Sequence, residues 1–291
     1  MASPLAILLE KALGSPVTGS KPMRGGDIAD VSLLSLRDGR KVVAKRPRAD
    51  QPDTTATEAM MLRHLREHSP LPVPEVLFQS AGILVLDYIL HAGITDRPAA
   101  SASAAAHIAA LHDCLSSDSA KPYGFAEDTY IGPLVQRNRP TADWASFFRD
   151  HRLLAMAQSC ARTSRFDTAM MARLEALAAK LPDLLPKAPP ASLLHGDLWA
   201  GNMLIDGDHV AGFIDPAISY GHAEMDLAFI ALMGGLDKSF FDEYAAHRAI
   251  ESGFFEERMA LYQLWPLLVH VRLFGGGYVG QVSHILDRFS V

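Results

Sequence analysis

The segment between Asn202 and Asp215 constrains the fold more than any other part of the chain. It holds two short apolar runs, MLI and HVAGFI, on either side of Asp206-Gly207-Asp208. An Asp-Gly pair between two apolar runs is typical of a tight β-hairpin. Because an antiparallel hairpin returns the chain to its start, we expect the Asn202 amide and the Asp215 carboxylate to converge on one point.

The spacing of Asp197, Asn202 and Asp215 indicates phosphotransfer chemistry. Asp197 and Asn202 stand five residues apart, as do the proton-accepting Asp and the Mg2+-binding Asn of the kinase catalytic loop. Mg2+ prefers a few hard oxygen ligands, with substrate phosphates completing its shell. Either Asp alone is also explained as a turn residue, since Asp215 precedes Pro216. The joint spacing, the hairpin and the preceding His-Gly favour a metal and catalytic site.

The periodicity divides the chain into a β-rich and a helical part. In the first ninety residues, two pairs of strands flank one helix, and from about Pro98 onward the spacing is helical. Strands first and helices later indicate an α+β architecture with a cleft between two lobes, which we expect to divide at residues 90 and 91. The predicted strands are Asp27 to Leu36, Lys41 to Lys45, Glu75 to Phe78 and Ile83 to Leu86. The predicted helices are Thr55 to Glu67, Ser101 to Leu115, Trp144 to Gln158, Thr168 to Leu181, Met225 to Met233, Phe240 to Ile250 and Glu256 to Phe274.

Two connections complete this prediction. Tyr88 to Arg97 is the expected hinge between the lobes, and the four prolines of Pro182 to Pro190 indicate an internal linker before His195. The loop from Gly124 to Arg139 is expected to shape the substrate pocket.

Composition argues against several classes of protein. The 291 residues carry a formal net charge of −6, and the most basic run is only Lys45-Arg46-Pro47-Arg48, so we expect no nucleic-acid partner. Cys114 and Cys160 show no paired ligand spacing, which argues against zinc or a disulfide framework. The N-terminal apolar run lacks a basic leader, and no run approaches the roughly 20 apolar residues of a membrane span. We therefore expect a cytoplasmic protein without a membrane partner. Nothing in the sequence specifies an oligomeric state.

The β-rich part supplies candidates for binding a nucleoside triphosphate. Lys45 ends the strand KVVAK and Glu58 lies on the next helix, which repeats the Lys-Glu pairing of kinase small lobes. The pattern Thr55-x-x-Glu58 also fits a capping box, in which Glu58 would only satisfy the helix N-terminus. Gly25 and Gly26 precede the first strand pair and would let backbone N–H groups approach phosphate. The chain has neither GxGxxG nor a P-loop, which argues against both of those nucleotide folds.

Three residues around the catalytic segment are candidates for supporting roles. His195 is expected to orient the loop. Asp226 could accept backbone N–H groups from that loop, although an acidic residue in the first turn of a helix also interacts favourably with the helix dipole. His112, at the end of a predicted helix, could support the loop too, but we interpret it as a capping or packing residue.

Taken with these residues, the chain resembles the fructosamine kinase (ketosamine kinase) family, whose protein-kinase-like fold is related to that of the aminoglycoside and choline kinases. The matching segments run along nearly the whole chain and include VVAK, LLHGDLWAGN, FIDPAISYGHAEMDLA and YQLWPLLVHVRLFGGGY. HGDxxxxN is shared by many small-molecule kinases, whereas HGDLW, DPA, YGH and LFGGGY are more specific. The chain departs from the family at Ala200, where Ser is usual, and at Val269, where Asn is frequent.

The resemblance implies a bilobal fold and a role for each matched residue. Asp197 would be the catalytic base, and Asn202 and Asp215 would bind Mg2+. Trp199 and Tyr220 would flank the sugar-amine pocket. The residues that would bind ATP, through phosphate contacts, an ion pair or the hinge backbone, are Gly25, Gly26, Lys45, Glu58, Leu86, Asp87 and Tyr88.

The implied activity is ATP- and Mg2+-dependent transfer of a γ-phosphoryl group to a sugar hydroxyl of a ketosamine. The acceptor would be a fructosamine or ribulosamine, free or on a glycated protein lysine, with deglycation as the biological result. Residues 1–90 would then bind the nucleotide, and residues 91–291 would carry catalysis and the substrate. One alternative is an aminoglycoside- or choline-type phosphotransferase on the same fold. Another is a silent nucleotide-binding scaffold, which should have lost one of its catalytic or metal-binding residues.

Overall fold

A five-stranded antiparallel sheet forms the centre of the N-terminal lobe, with strand order β1-β2-β3-β5-β4. The computed structural model describes residues 4–23 and 29–291. The strands are β1 (Val17–Pro22), β2 (Ala29–Leu36), β3 (Lys41–Pro47), β4 (Val76–Ser80) and β5 (Ile83–Asp87). Helix α1 (Pro4–Leu13) precedes the sheet, and helix α2 (Thr55–His68) lies between β3 and β4 in the chain.

Alternation along β5 explains how the sheet is covered on both faces. Successive side chains of a strand point to opposite faces. Ile83 and Val85 pack in one apolar cluster with residues of α1. Leu84 and Leu86 join the larger core that includes α2 and the C-terminal lobe. The sheet is therefore held between α1 on one face and α2 on the other.

The C-terminal lobe is mainly helical. Its helices are α3 (Arg97–His112), α4 (Trp144–Phe147), α5 (Leu154–Arg162), α6 (Thr168–Leu184), α7 (Glu224–Met233), α8 (Phe240–His247), α9 (Met259–Phe274) and α10 (Gly277–Arg288). π-Helical turns at Phe148–Leu153 and Phe254–Arg258 lead into α5 and α9. No helix within the described ranges is long and apolar enough to cross a membrane.

Short strands position the loops of this lobe. They are β6 (Gly93–Ile94), β7 (Thr129–Ile131), β8 (Leu134–Gln136), β9 (Ala191–Leu194), β10 (Met203–Gly207), β11 (His209–Phe213) and β12 (Ser219–His222). β9 pairs with β12, β7 with β8, and β10 with both β11 and β6. The predicted hinge is hydrogen-bonded to the hairpin β10–β11. The Ala92 amide donates to Asp206 at 3.0 Å, and the Thr95 amide donates to the Gly207 carbonyl at 2.9 Å.

The predicted secondary structure differs from the observed one at several points, among them β1, Pro182 and α10. Strand β1 was not predicted, because its sequence VTGSKP contains Gly and Pro and acquires strand form only as an edge strand on β2. Pro182 belongs to α6 rather than to a linker, since it lies in the last turn of a helix that ends at Leu184. Helix α10 was also missed. Gly275 and Gly276, both with positive φ, separate it from α9.

Candidate active site

The predicted hairpin forms and brings Asn202 and Asp215 together. β10 and β11 are antiparallel, with Met203 opposite Phe213, and the Ile214 amide donates to the Asn202 carbonyl at 3.0 Å. The two predicted oxygen donors therefore flank the open end of the hairpin. The register shifts once, at a bulge beside Leu204, which the sequence did not reveal.

Asp215 has an unusual backbone. Its φ is 54°, in the left-handed region that residues other than glycine rarely adopt. Such a conformation persists where its surroundings hold it, and it is concentrated at ligand sites. The side chain of Asp215 reaches the N-terminal lobe and contacts the Lys45 ammonium.

Lys45 lies at the junction of the two lobes. Its Nζ is 2.6 Å from Glu58 Oε1 and also contacts Asp215 Oδ1. Burial alone would lower the pKa of Lys45, but the carboxylates of Asp215 and Glu58 outweigh it and raise the pKa above its ordinary value. Burial raises the pKa of Glu58, partly offset by the attraction of Lys45. The ammonium is therefore charged at neutral pH.

The capping-box explanation of Glu58 is wrong. Asp53 accepts bonds from the Thr55 amide at 3.0 Å and the Thr55 hydroxyl at 2.6 Å at the start of α2. Thr54, the N-cap residue, makes no side-chain capping bond. Glu58 is directed to Lys45 instead.

Asp197 is oriented by Asn202. The Asn202 Nδ2 donates to the Asp197 backbone carbonyl at 2.8 Å and to its carboxylate Oδ2 at 2.9 Å. Burial raises the pKa of Asp197 to about 7, against the lowering effect of the Asn202 bond and with the help of the Asp215 and Asp226 charges. A carboxylate with a pKa near the working pH is suited to accept a proton.

A buried network holds the backbone before Asp197. Asp226, on α7, accepts the His195 amide at 2.9 Å and the Gly196 amide at 3.0 Å. His112 donates from Nε2 to the same carboxylate at 3.2 Å, and its Nδ1 is 2.8 Å from the Tyr244 hydroxyl. His112 is therefore a fully buried packing residue that also supports the loop through Asp226, and Tyr244 was missed. The individual contacts among His112, Asp226 and Tyr244 could not be predicted, because they join positions 114 and 132 residues apart.

His195 lies between the catalytic loop and the hairpin. It is fully buried, and its Nδ1 accepts the Asp197 amide at 3.4 Å. Burial lowers its pKa, so the ring is neutral. Its Nε2 is the one buried side-chain N or O atom of the described ranges without a hydrogen-bond partner.

These groups face one cleft between the lobes, with a volume of about 520 Å³. The predicted site residues that line it are Lys45, Glu58, Leu86, Asp87, Tyr88, Asp197, Trp199, Asn202 and Asp215. The Trp199 ring is 40% exposed and lies so close over Gly201 that a side chain there would collide with it. The hairpin β7–β8 adds Tyr130 and Gly132 to the lining, from the loop that was expected to shape the pocket.

Among the described residues, one candidate for substrate binding lies outside this cleft. Gly25 and Gly26 lie outside the described residues. Tyr220 is absent from the lining. Its hydroxyl is instead 3.2 Å from His64 Nε2 on helix α2.

A sequence profile of the fructosamine kinase family matches residues 1–290. The chain belongs to the fructosamine kinase family. The chloroplastic protein-ribulosamine 3-kinase of indica rice is 30% identical over 292 residues, which cover 97% of this chain and 82% of the rice protein. A protein of Enterococcus faecium named probable ketoamine kinase is 37% identical over 186 residues. The chain matches 65% of the length of that relative and 59% of a similarly named Synechocystis protein.

Solved structures agree with the predicted fold. A candidate fructosamine-3-kinase of Thermobifida fusca superposes with a TM-score of 0.87 at 28% identity, covering 99% of this chain and 98% of that one. An ADP-bound aminoglycoside phosphotransferase superposes with a TM-score of 0.66 at 17% identity, covering 98% and 97%. This second likeness concerns the fold alone. The predicted family and the bilobal protein-kinase-like fold are therefore confirmed.

Proposed function

We propose that this chain is an ATP-dependent phosphotransferase that phosphorylates a sugar hydroxyl of ketosamines. The acceptor is a fructosamine or ribulosamine, free or on a glycated protein lysine, and the biological result is deglycation. One observation carries the proposal: in a member of the fructosamine kinase family, a single cleft combines the Asp197–Asn202 pair, Asp215 and the charged Lys45.

Asp197 accepts the proton of the attacking hydroxyl. Its pKa of about 7 leaves a substantial fraction ionised at neutral pH while keeping it basic enough to take a proton. The two bonds from Asn202 fix its orientation, and Asp226 fixes the backbone just before it. Since phosphoryl transfer depends mainly on positioning and charge stabilisation, this rigidity contributes directly to rate.

The residues around Asp215 fit a divalent cation. Asn202 uses its Nδ2 to bond Asp197, which leaves the amide oxygen for a metal, and Lys45 contacts Oδ1 of Asp215, which leaves Oδ2. An amide and a carboxylate oxygen at the mouth of one hairpin are the hard donors that Mg2+ prefers. When bound there, Mg2+ would neutralise negative charge that develops on the phosphates during transfer.

The opposite side of the cleft binds the nucleotide. Lys45 supplies a permanent cation for the phosphates, kept charged by Glu58 and Asp215. We assign adenine recognition to the backbone of the segment from Leu86 to Tyr88, which lines the cleft where the lobes join. Trp199, Tyr130 and Gly132 bound the side left for the sugar. An exposed aromatic ring offers a flat apolar surface to a sugar ring.

An aminoglycoside- or choline-type phosphotransferase is the alternative. Its support is the shared fold, at 17% identity, which carries no information on the acceptor. The family match favours a ketosamine. The silent scaffold has no support, because Lys45, Asp197, Asn202 and Asp215 are all present and face the cleft.

A substrate panel tests the proposal. ADP release with Mg2+ and ATP is measured for ribuloselysine, fructoselysine, kanamycin and choline, with Asp197→Asn as blank and Asp208→Asn, at the exposed hairpin tip, as matched control. We expect ADP release above blank with the ketosamines only, at equal rates in wild type and the control variant. Turnover confined to kanamycin or choline would contradict the assigned acceptor.

Two further assignments belong to the proposal. We place the lobe boundary between residues 90 and 91. It is supported by the hydrogen bonds that Ala92 and Thr95 donate to the hairpin β10–β11 of the C-terminal lobe. The protein acts in the cytoplasm, where ATP and Mg2+ are available.

A further inference from the structure

Helix α2, which carries Glu58, is attached to both lobes. At its start, Asp53 bonds the Thr55 amide and accepts the Gly82 amide at 2.7 Å, which ties the helix to the turn between β4 and β5. Leu62 and Leu65 are buried in the core shared with the C-terminal lobe. The position of Glu58 therefore depends on contacts on either side of the cleft.

The contact with the C-terminal lobe centres on His64. Its Nε2 is 3.2 Å from the Tyr220 hydroxyl, and the Phe125 ring meets it edge-on with centroids 4.9 Å apart. His64 lies six residues beyond Glu58, or about 9 Å along the helix axis. We name His64, Phe125 and Tyr220 the α2 clamp.

The C-terminal side of the α2 clamp is firmly held. Tyr220 exchanges two backbone bonds with Gly124, at 2.8 and 2.9 Å, and pairs with Leu193 on β9. β9 ends directly before His195, so the strand that carries Tyr220 is paired with the strand that leads into the catalytic loop. The α2 clamp thus fixes the distance between Glu58 and the catalytic loop.

The α2 clamp does not depend on charge. Burial, followed by the nearby charge of His68, lowers the pKa of His64 to about 4, so the ring is neutral at pH 7. Its bond to Tyr220 is a neutral hydrogen bond reinforced by ring packing. Such a contact is insensitive to salt, unlike an exposed ion pair.

We propose that Tyr220 is a positioning residue, which through His64 holds helix α2 so that Glu58 stays against Lys45. This differs from the role in the sugar-amine pocket that the family resemblance implied. The inference rests on the proposed function for its effect on catalysis, while the clamp itself is testable without any substrate.

The first test measures hydrogen exchange of the α2 backbone amides by mass spectrometry in Tyr220→Phe. Tyr278→Phe is the matched control, because Tyr278 also packs against a histidine, His270, with centroids 4.9 Å apart, but on helices α9 and α10. We expect amides 58–66 to exchange faster in Tyr220→Phe only, by about 3- to 10-fold, the effect of one neutral hydrogen bond. Unchanged exchange in α2 would overturn the proposal, whatever reaction the protein catalyses.

The second test is a double-mutant cycle on Mg-ATP affinity, measured calorimetrically without acceptor. Tyr220→Phe should weaken binding about 3-fold or more. In a Glu58→Gln background the same change should have almost no further effect, because the group that Tyr220 positions is already neutralised. Fully additive effects would show that Tyr220 does not act through Glu58.

Steady-state kinetics separate the two roles of Tyr220. A positioning role predicts that Tyr220→Phe changes the KM for ATP and kcat, with the acceptor KM within about twofold of wild type. A raised acceptor KM with unaltered Mg-ATP affinity would make Tyr220 a pocket residue and overturn the inference. If no ketosamine is turned over but α2 exchange rises as expected, the proposed acceptor fails and the α2 clamp stands.

Discussion

The two sides of the cleft are held together in different ways. The catalytic loop is fixed from beneath by Asp226, His112 and Tyr244, all buried and all within the C-terminal lobe. Lys45 is held by Glu58 from α2 and by Asp215 from the C-terminal hairpin. The contacts that hold the loop therefore lie within one lobe, whereas those that hold Lys45 join the two lobes.

The largest loss of turnover is expected from a change on the catalytic side of the cleft. Asp197→Asn keeps the shape of the side chain but removes the base, so we expect turnover to fall roughly a thousandfold. Mg-ATP affinity should stay within about threefold, since Lys45, Glu58 and Asp215 are unchanged. Steady-state turnover and calorimetry on the same preparation check both parts. Near wild-type turnover would remove Asp197 from the mechanism.

The next largest loss of activity is expected from a change at Lys45, on the proposed nucleotide side of the cleft. Lys45→Met removes the cation that we propose binds the phosphates, and we expect kcat/KM for ATP to fall about a hundredfold. Lys41→Met is the matched control, because Lys41 lies on the same strand but is exposed. Equal losses in the two variants would mean that the charge of β3 as a whole, rather than Lys45, binds the nucleotide.

The catalytic side of the cleft could be predicted from the sequence more fully than the residues that support it. Asp197, Asn202 and Asp215 lie within one short segment, so a catalytic spacing and a hairpin turn were enough to bring them together. The support beneath them was only partly predictable, because Tyr244 reaches His112, and His112 reaches Asp226, from distant helices. Such contacts depend on how the helices pack against one another, and local sequence patterns do not predict that packing.

The N-terminal lobe shows the same limit. Lys45 and Glu58 were predicted as a pair because the strand and helix that carry them are adjacent in the chain. The resemblance placed Tyr220 in the sugar pocket, yet the pairing of β12 with β9 directs its hydroxyl to His64. Side-chain direction on a short strand depends on register, which turns and partners fix.

A smaller effect, on stability, is expected when Asp226, which holds the loop, is replaced. Asp226→Asn replaces a buried acceptor of three N–H groups, so we expect the free energy of unfolding to fall by about 1–3 kcal/mol. Asp242→Asn is the control, since Asp242 is an exposed acidic residue in the first turn of α8 and tests the helix-dipole explanation. Urea unfolding measures both. Equal and small losses would favour that explanation.

Another effect on stability concerns its dependence on pH. Because burial raises the folded pKa of Asp197 to about 7, the folded protein loses stability as pH rises from the unfolded pKa, near 4, through 7. Asn does not titrate, so Asp197→Asn should melt a few degrees above wild type at pH 8, with the difference vanishing towards pH 4. Thermal melts at four pH values measure this. A difference independent of pH would mean that Asp197 is ionised throughout.

The kinetic counterpart of this shift is an acidic limb in kcat/KM. If Asp197 is the base, as proposed, its ionised form is the active one, so the rate should fall as pH drops through about 7, and the same limb should persist in Asp208→Asn. A profile that is flat from pH 8 to 5 would contradict the assigned base.

Identification of the phosphorylated product shows whether the phosphoryl group of ATP reaches a ketosamine. Stoichiometric ATP is incubated with the protein, Mg2+ and ribuloselysine or fructoselysine, and the product is followed by 31P NMR and mass spectrometry. We expect one sugar phosphomonoester for each ADP formed, and none with Asp197→Asn. ADP that accumulates with inorganic phosphate and no sugar ester would contradict it, because the cleft would then hydrolyse ATP without transferring its phosphoryl group to a ketosamine.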